Sequence, residues 1–390
     1  MIIYNDFQGC SRLSYHSAFR QSHHNIGLKN LCTNFNLKLD SAASQYTDRY
    51  MMAWLNHFTK IILLLLCYSL YQVRSEAYYI ETNSSDLCTL PCQTLYHVVT
   101  NLNDLLDSEI DPNITLVFNP GIHYLNISVA ITNTSDLSML SKSEYSTPQI
   151  VCENYSRFIF RHLKNLHISN LEFIGCGGNK VEYANRFVVH ETLFRGQEYS
   201  GTTFKLMETA AIIINCTFTS SRNAYDWSSY PYYVHQFGNI ITATQSNVSV
   251  SQSVFQIYEE PDSYYDGVIY AEQQSIITIN GSMFIGNSGL RGIVYSHSCN
   301  ITIRTSEFYN NNISYGKLLS LYSSNVTIEQ SVFEKNNGRV LHFWNSIVKI
   351  ETSEFYNNSA SDDNLLTLYG SNATIEQSMF ENNIGSVLYF

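Results

Sequence analysis

The chain has 390 residues, 44% of them hydrophobic and only 14% charged, with 29 Tyr and 6 Pro. That composition supports a large core and excludes a charge-rich disordered chain. A formal net charge of −11 leaves no basic stripe to neutralise phosphates, which excludes a nucleic-acid partner.

Residues 1–50 show no sustained periodicity and are expected to be an unstructured upstream extension. Residues 51–75 read as a signal peptide. Met51 and Met52 open it, Lys60 precedes the apolar run Ile61–Tyr71, and Val73-Arg74-Ser75 follows. The run is too short for a bilayer span, which needs about 20 apolar residues. An uncleaved signal anchor is the alternative. Thirteen Asn-x-Ser/Thr sequons follow residue 75 and none precedes it: Asn83, Asn113, Asn126, Asn133, Asn154, Asn215, Asn247, Asn280, Asn300, Asn312, Asn325, Asn357 and Asn372. That onset predicts a glycoprotein made in the secretory lumen and located outside the cell. Residues 76–390 hold 15 Lys+Arg against 30 Asp+Glu, an acidic balance that favours solubility.

Residues 76–165 are expected to form an N-terminal cap and the first rungs of a repeat. Leu95, Val98, Val99, Leu102, Leu105 and Leu106 recur with a 3.6-residue period, which predicts a short helix over 92–106. Ile114–Phe118 reads as a strand, Asn119-Pro120-Gly121 as a turn, and Ile122–Val129 as a second strand. After the signal peptide six cysteines remain: Cys88, Cys92, Cys152, Cys176, Cys216 and Cys299. In an oxidising compartment an even number suggests disulfides, with 15 connectivities open. Cys88-x3-Cys92 lacks a second pair at zinc spacing. No metal and no cofactor is expected.

From residue 166 to 390 the sequence repeats. Phe173, Phe194, Phe218, Phe255, Phe284, Phe308, Phe333, Phe355 and Phe380 recur at intervals of 21 to 37 residues, most near 24. Mostly aliphatic residues stand seven and five before each Phe, as at Val326/Ile328 and Val348/Ile350, and Ser or Thr usually stands two before it. The first pair and the Ser–Phe pair have opposite parity, so the chain must bend between them. A further apolar pair lies 14 and 12 before Phe, at Ile241/Ala243, Leu319/Leu321, Leu341/Phe343 and Leu366/Leu368. Three short strands per turn describe an all-β solenoid rung. Asn287, Asn311, Asn336, Asn358 and Asn383 stand three after Phe, where stacked amides can link rungs and tolerate a left-handed backbone. A leucine-rich repeat would need a different frame, which is absent.

The I-x-I-x-x-S-x-F-x-x-N repeat, with Val117-Phe-Asn-Pro-Gly-Ile-His-Tyr124 ahead of it, resembles right-handed parallel β-helix domains of the pectin-lyase-like superfamily. The Cys-containing lead-in and Ile174-Gly-Cys-Gly-Gly178 resemble large animal extracellular proteins of that class. The resemblance covers about residues 78–390. It implies a right-handed solenoid, and its enzymes are polysaccharide lyases and glycoside hydrolases. One fold hosts many activities, so function has to come from a site.

Those enzymes need clustered carboxylates with His, Arg or Lys, or an acidic calcium set with a basic residue. No such motif is visible here, and no catalytic residue is assigned. Asp362-Asp363 is the adjacent Asp pair and reads as a solvated turn. Arg304, Glu329, Glu351 and Glu376, four before Phe, form an outward column that reads as a surface charge network, with Lys349 beside it. Asn247, Asn300, Asn325 and Asn372, eight before Phe, share that outward side, and glycans there would crowd a polymer cleft. The histidines, including His123, His190, His235, His297 and His342, share no metal spacing and read as incidental.

The candidate ligand surface is a pair of inserts after Phe218 and Phe255. The first carries Tyr225, Trp227, Tyr230, Tyr232 and Tyr233; the second carries Glu259, Glu260, Asp262, Tyr264, Tyr265 and Asp266. Aromatic faces suit sugar or protein contact, and acids add hydrogen bonds. The expectation is a secreted or cell-surface, non-catalytic adhesion, recognition or scaffold module whose partner is an extracellular carbohydrate or protein. The alternative is a diverged polysaccharide lyase or glycoside hydrolase. A membrane is expected only through an anchor outside this sequence or an uncleaved signal anchor. Val387-Leu-Tyr-Phe390 aligns with Val340-Leu-His-Phe343, so the natural product is expected to continue.

Overall fold

A computed structural model describes residues 75–80, 113–143, 145–153, 156–196, 202–219, 239–257, 267–288 and 292–389. The extension over 1–50, the signal peptide and the helix over 92–106 fall outside them. Among the described residues the regular structure is all β. Three parallel sheets run along the chain. The first has 12 strands, from Ser75–Ile80 and Asn113–Phe118 to Asn372–Glu376; the second has 11, from Ile122–Leu125 to Met379–Glu381; the third has 11, from Val129–Thr132 to Ile384–Tyr389. Each sheet takes one strand from each successive rung.

The rung Asn325–Trp344 shows why the sequence folds this way. Its strands are Asn325–Glu329, Val332–Glu334 and Asn337–Trp344. Val326, Ile328, Phe333, Leu341 and Phe343 point inward and are buried. The parity break between Ile328 and Phe333 is resolved at Gln330, which takes φ 49°. One left-handed residue turns the strand and returns the next side chain to the interior. The same device sits at Gln252, Thr305, Thr352 and Gln377.

Each corner pairs such a residue with a small polar side chain turned inward. At the first corner, between the first and second sheets, Ser282, Ser306 and Ser331 accept from the amides of Ser253, Ser282 and Ser306 at 3.2, 3.2 and 3.3 Å. At the third corner, between the third and first sheets, Ser346 accepts from the Ser324 amide and Ser371 from the Ser346 amide at 3.1 and 3.0 Å. At the second corner the asparagines stack: Asn311 Nδ2 donates to Asn336 Oδ1 at 2.8 Å and to the Phe284 carbonyl at 2.9 Å. The ladder asparagines do not themselves take the left-handed backbone. Asn310, Lys335, Asn357 and Asn382, each one position earlier, do. That frees the ladder amide to lie flat between rungs, where a buried unpaired one would cost about 1–3 kcal/mol.

The nine repeat phenylalanines form one inner column. Their ring centroids are 5.2 Å apart at Phe173/Phe194 and 4.6 Å apart at Phe355/Phe380. Each buried ring contributes about 1.5–3 kcal/mol by removal from water. Outside this column the sequence reading needs two changes. Ile122–Val129 is not one strand; it ends at Leu125, and the chain turns through Asn126–Ser128 into Val129–Thr132 of the third sheet. Asp362 and Asp363 lie within the strand Ser359–Tyr369, where the register slips between Ser359 and Asn364, and not in a turn.

Cys152 and Cys176 form a disulfide across 24 residues, joining consecutive rungs at the second corner. Cys216 and Cys299 are buried free thiols, so the disulfide expectation fails for these two. The reason is positional. The amide of Cys216 donates to Ser253 Oγ in the first-corner ladder, and that of Cys299 to Ser324 Oγ in the third-corner ladder, both at 3.1 Å. Each thiol occupies a serine place in a separate column. Burial pushes the Cys216 thiol up to about 12 and the Cys299 thiol up to about 11, so both stay protonated. Cys88 and Cys92 lie outside the described residues.

Length variation of more than one residue is confined to one corner. From the third-sheet core residue to the next repeat Phe the interval is 12 or 13 residues, as from Leu206 to Phe218 and Ala271 to Phe284. From Phe to the next such residue it runs from 8, Phe173 to Val181, up to 25, Phe218 to Ala243. Every longer insert therefore enters the chain just before a third-sheet strand.

Candidate binding groove on the third sheet

The outer face of the third sheet carries two register columns. One runs Thr242, Tyr270, Tyr295, Ser320, His342, Thr367; the other runs Thr244, Glu272, His297, Tyr322, Trp344, Tyr369. Neighbours in a column are one strand spacing apart, about 4.8 Å. Tyr270 and Tyr295 stack with centroids 5.4 Å apart and planes within 5°, and Tyr322 continues the row at 5.4 Å with its ring tilted by 40°. Trp344 and Tyr369 follow, 5.1 Å apart, and stand 44% and 37% exposed.

Where this face meets the third corner there is an open pocket of about 790 Å3. Tyr270, Glu272, Tyr295 and His297 line it from the sheet, and Gln245, Gln273, Gln274 and Ser298 line it from the corner. Glu272 is fixed by two donors, Tyr270 OH at 3.0 Å and Thr244 Oγ1 at 3.1 Å. His297 Nδ1 lies 3.2 Å from Ser298 Oγ. The corner has one residue more than its neighbours, and Gln273 and Gln274 both take left-handed backbone, φ 55° and 65°. Two such residues in succession are costly for non-glycine side chains and set the amides on the pocket rim.

Farther along the face His342 is buried between Tyr322 and Tyr369, with ring centroids 5.8 and 6.1 Å away. Burial, then the Lys317 and Arg339 cations, push its pKa down to about 4, so it is neutral at physiological pH. Lys317 Nζ lies 3.3 Å from Tyr322 OH and holds that ring's outer edge.

The first sheet's outer face is different. Asn280, Arg304, Glu329, Glu351 and Glu376 occupy one register column. Arg304 Nε pairs with Glu329 Oε2 at 2.9 Å, and Lys349 pairs with Glu351 within one strand. These are exposed pairs that soften carboxylate repulsion and are worth little to stability. Asn247, Asn300, Asn325 and Asn372 share another column with Ile276 and Ile347, and Asn325 Nδ2 donates to Asn300 Oδ1 at 3.1 Å.

Both sequence-predicted inserts lie outside the described residues, including Tyr225, Trp227, Tyr230, Tyr232, Tyr233, Glu259, Glu260, Asp262, Tyr264, Tyr265 and Asp266. The described chain resumes at Asn239 and Gly267, directly ahead of the third-sheet strands Ile241–Thr244 and Ile269–Glu272. Sequence reasoning missed the groove itself, and it set His297 and His342 aside. The available signal was parity: Tyr270, Tyr295, Tyr322, Trp344 and Tyr369 all fall on outward positions of third-sheet strands. Among the described residues no three His, Cys, Asp or Glu side chains are grouped to hold a metal ion.

Comparison with known proteins fixes the fold. A family model described as a right handed beta helix region matches residues 266–390. An endo-xylogalacturonan hydrolase from Aspergillus tubingensis superposes with a TM-score of 0.50 at 10% identity, covering 79% of this chain and 93% of that one. PfbA, a surface adhesin of Streptococcus pneumoniae, gives 0.44 at 11%, covering 75% and 89%. A mannuronic acid specific polysaccharide family 6 lyase from human gut microbiota gives 0.36 at 11%, covering 72% and 81%. No curated protein matches the sequence. The solenoid is a right-handed parallel β-helix.

Proposed function

We propose that the protein is a secreted or cell-surface N-glycoprotein that acts as a non-catalytic recognition scaffold. One observation carries this reading: the asparagines are sorted by surface. Of the eleven described sequon asparagines, Asn126, Asn133, Asn215, Asn247, Asn280, Asn300, Asn312, Asn325, Asn357 and Asn372 are exposed and Asn113 is half-buried. The buried asparagines, Asn119, Asn179, Asn239, Asn287, Asn311, Asn336 and Asn358, begin no sequon. Chance composition would not separate the two sets. A chain that meets glycosyltransfer before folding needs that separation, because a glycan on a ladder amide would block the rung.

The non-catalytic half rests on chemistry. Glycoside hydrolysis uses two carboxyl groups about 5–10 Å apart. Among the described lining residues of the groove there is one, Glu272. The two aromatic inserts belong to the same proposal, since both join the chain ahead of third-sheet strands. The test is expression of the full chain in a eukaryotic secretory host. The expected product is in the medium and loses mass in discrete steps on peptide N-glycosidase treatment. An unglycosylated, retained chain sinks the extracellular reading, and turnover of any polyuronide or neutral polysaccharide sinks the non-catalytic one in favour of a diverged hydrolase or lyase.

A further inference from the structure

We propose that the groove at the third corner binds the terminal sugars of a neutral oligosaccharide. The inference rests on the recognition reading above and names its ligand class. The lining is chemically uniform in one respect: almost every group can both donate and accept a hydrogen bond or is an aromatic ring. Gln273 and Gln274 present amides, Tyr270 and Tyr295 present phenols on a stacked apolar body, and His297 adds an imidazole. Paired hydroxyls of a sugar ring match amides that offer both functions at one carbon. The C–H surface of the ring packs against the edges of the stacked tyrosines.

Charge selects among saccharides. No Lys or Arg is among the described residues that line the pocket, and the one carboxylate among them, Glu272, is held by Tyr270 OH at 3.0 Å. A uronate entering there would place a second carboxylate beside Glu272 with no cation to offset it. A neutral sugar meets no such penalty. None of the thirteen sequons falls on a lining residue, and the nearest, Asn247 and Asn300, stand two residues past Gln245 and Ser298 on the first sheet beyond the corner. Among the described residues Gln273–Gln274 is the one place where two successive corner residues take left-handed backbone, which sets this rim apart from the corners of the other rungs.

The experiment titrates the secreted, glycosylated full chain calorimetrically with cellohexaose, chitohexaose and hexagalacturonate. At least one neutral hexaose binds and hexagalacturonate does not. Tyr295→Ala weakens binding at least tenfold. Gln274→Ala, an exposed corner change that leaves the ladder intact, weakens it severalfold. Tyr309→Ala, on the outer face of the second sheet, leaves it unchanged. Binding of none of the neutral probes, preference for hexagalacturonate, or full affinity in both Tyr295→Ala and Gln274→Ala overturns the proposal. Failure of binding in a chain that is still secreted and glycosylated sinks the ligand class alone; failure of secretion or glycosylation sinks the reading it rests on.

Discussion

The outer faces of the first and third sheets are carried by the same rungs, yet they hold opposite chemistry. The first bears acids, compensating cations and a column of sequon asparagines. The third bears a row of aromatic rings and one built pocket. Inward residues are held to one pattern by packing, so Val326, Ile328, Phe333 and Leu341 have close equivalents on every neighbouring rung. Outward residues answer to no such constraint. A solenoid therefore offers each face as an independent surface, and what distinguishes the two faces is selection on the outside of an invariant frame.

The comparison breaks entirely if the shared core is broken. Phe308→Ala opens the ring column between Phe284 and Phe333 and is expected to cost about 3–5 kcal/mol, read as a lower denaturation midpoint together with loss of secretion. Equal stability would mean that the column is not what holds the rungs. The faces can next be exchanged. Thr242→Asn creates the sequon Asn-Ala243-Thr244 on the third sheet, beside Tyr270 in register. A glycan there should lower saccharide affinity at least a hundredfold, whereas Asn325→Gln on the first sheet should remove one glycan and leave affinity unchanged.

Acid separates the faces in another way. His342 has a folded-state pKa of about 4 against an ordinary 6.5, so its neutral form is the one that folding favours. The associated stability is complete above pH 6.5 and is lost as the pH falls toward 4, because only the unfolded chain takes up the proton in that window. The loss is about 2 kcal/mol, and His342→Phe should flatten the urea midpoint between pH 7 and 4.5. An unchanged pH profile in that variant would assign the acid sensitivity elsewhere. The smallest effect belongs to Cys216→Ser. Serine fills the equivalent ladder positions at Ser253 and Ser282, so thermal unfolding should shift by less than about 0.5 kcal/mol.

The inside of this molecule was legible in its sequence because stacking writes each contact again on the next rung. The Phe, Ser and Asn columns repeat near every 24 residues, and the bend that parity required is present at Gln330 and its equivalents. The position of the left-handed residue relative to the asparagine ladder was not legible. It falls on Asn310, Lys335, Asn357 and Asn382, and because three of these are Asn directly ahead of a ladder Asn, the sequence alone did not say which of the two adjacent amides turns the chain. The free thiols misled for a related reason: a cysteine in a serine column looks like half of a disulfide until the column is seen. The groove was hidden because its tyrosines occur once per rung among 29 in the chain, and because the extra residue at Gln273 changes the spacing by only one.

The three corner ladders have a consequence for how such a molecule can change its length. Removing or adding a single residue within the strands would shift one serine or asparagine out of line and break its bonds to the rungs above and below. Adding a whole rung restores all three ladders at once. The solenoid is thus a ruler with fixed divisions. It can be lengthened or shortened by complete units of about two dozen residues, and otherwise it takes long insertions at one corner, where each added segment is delivered to the margin of the same sheet.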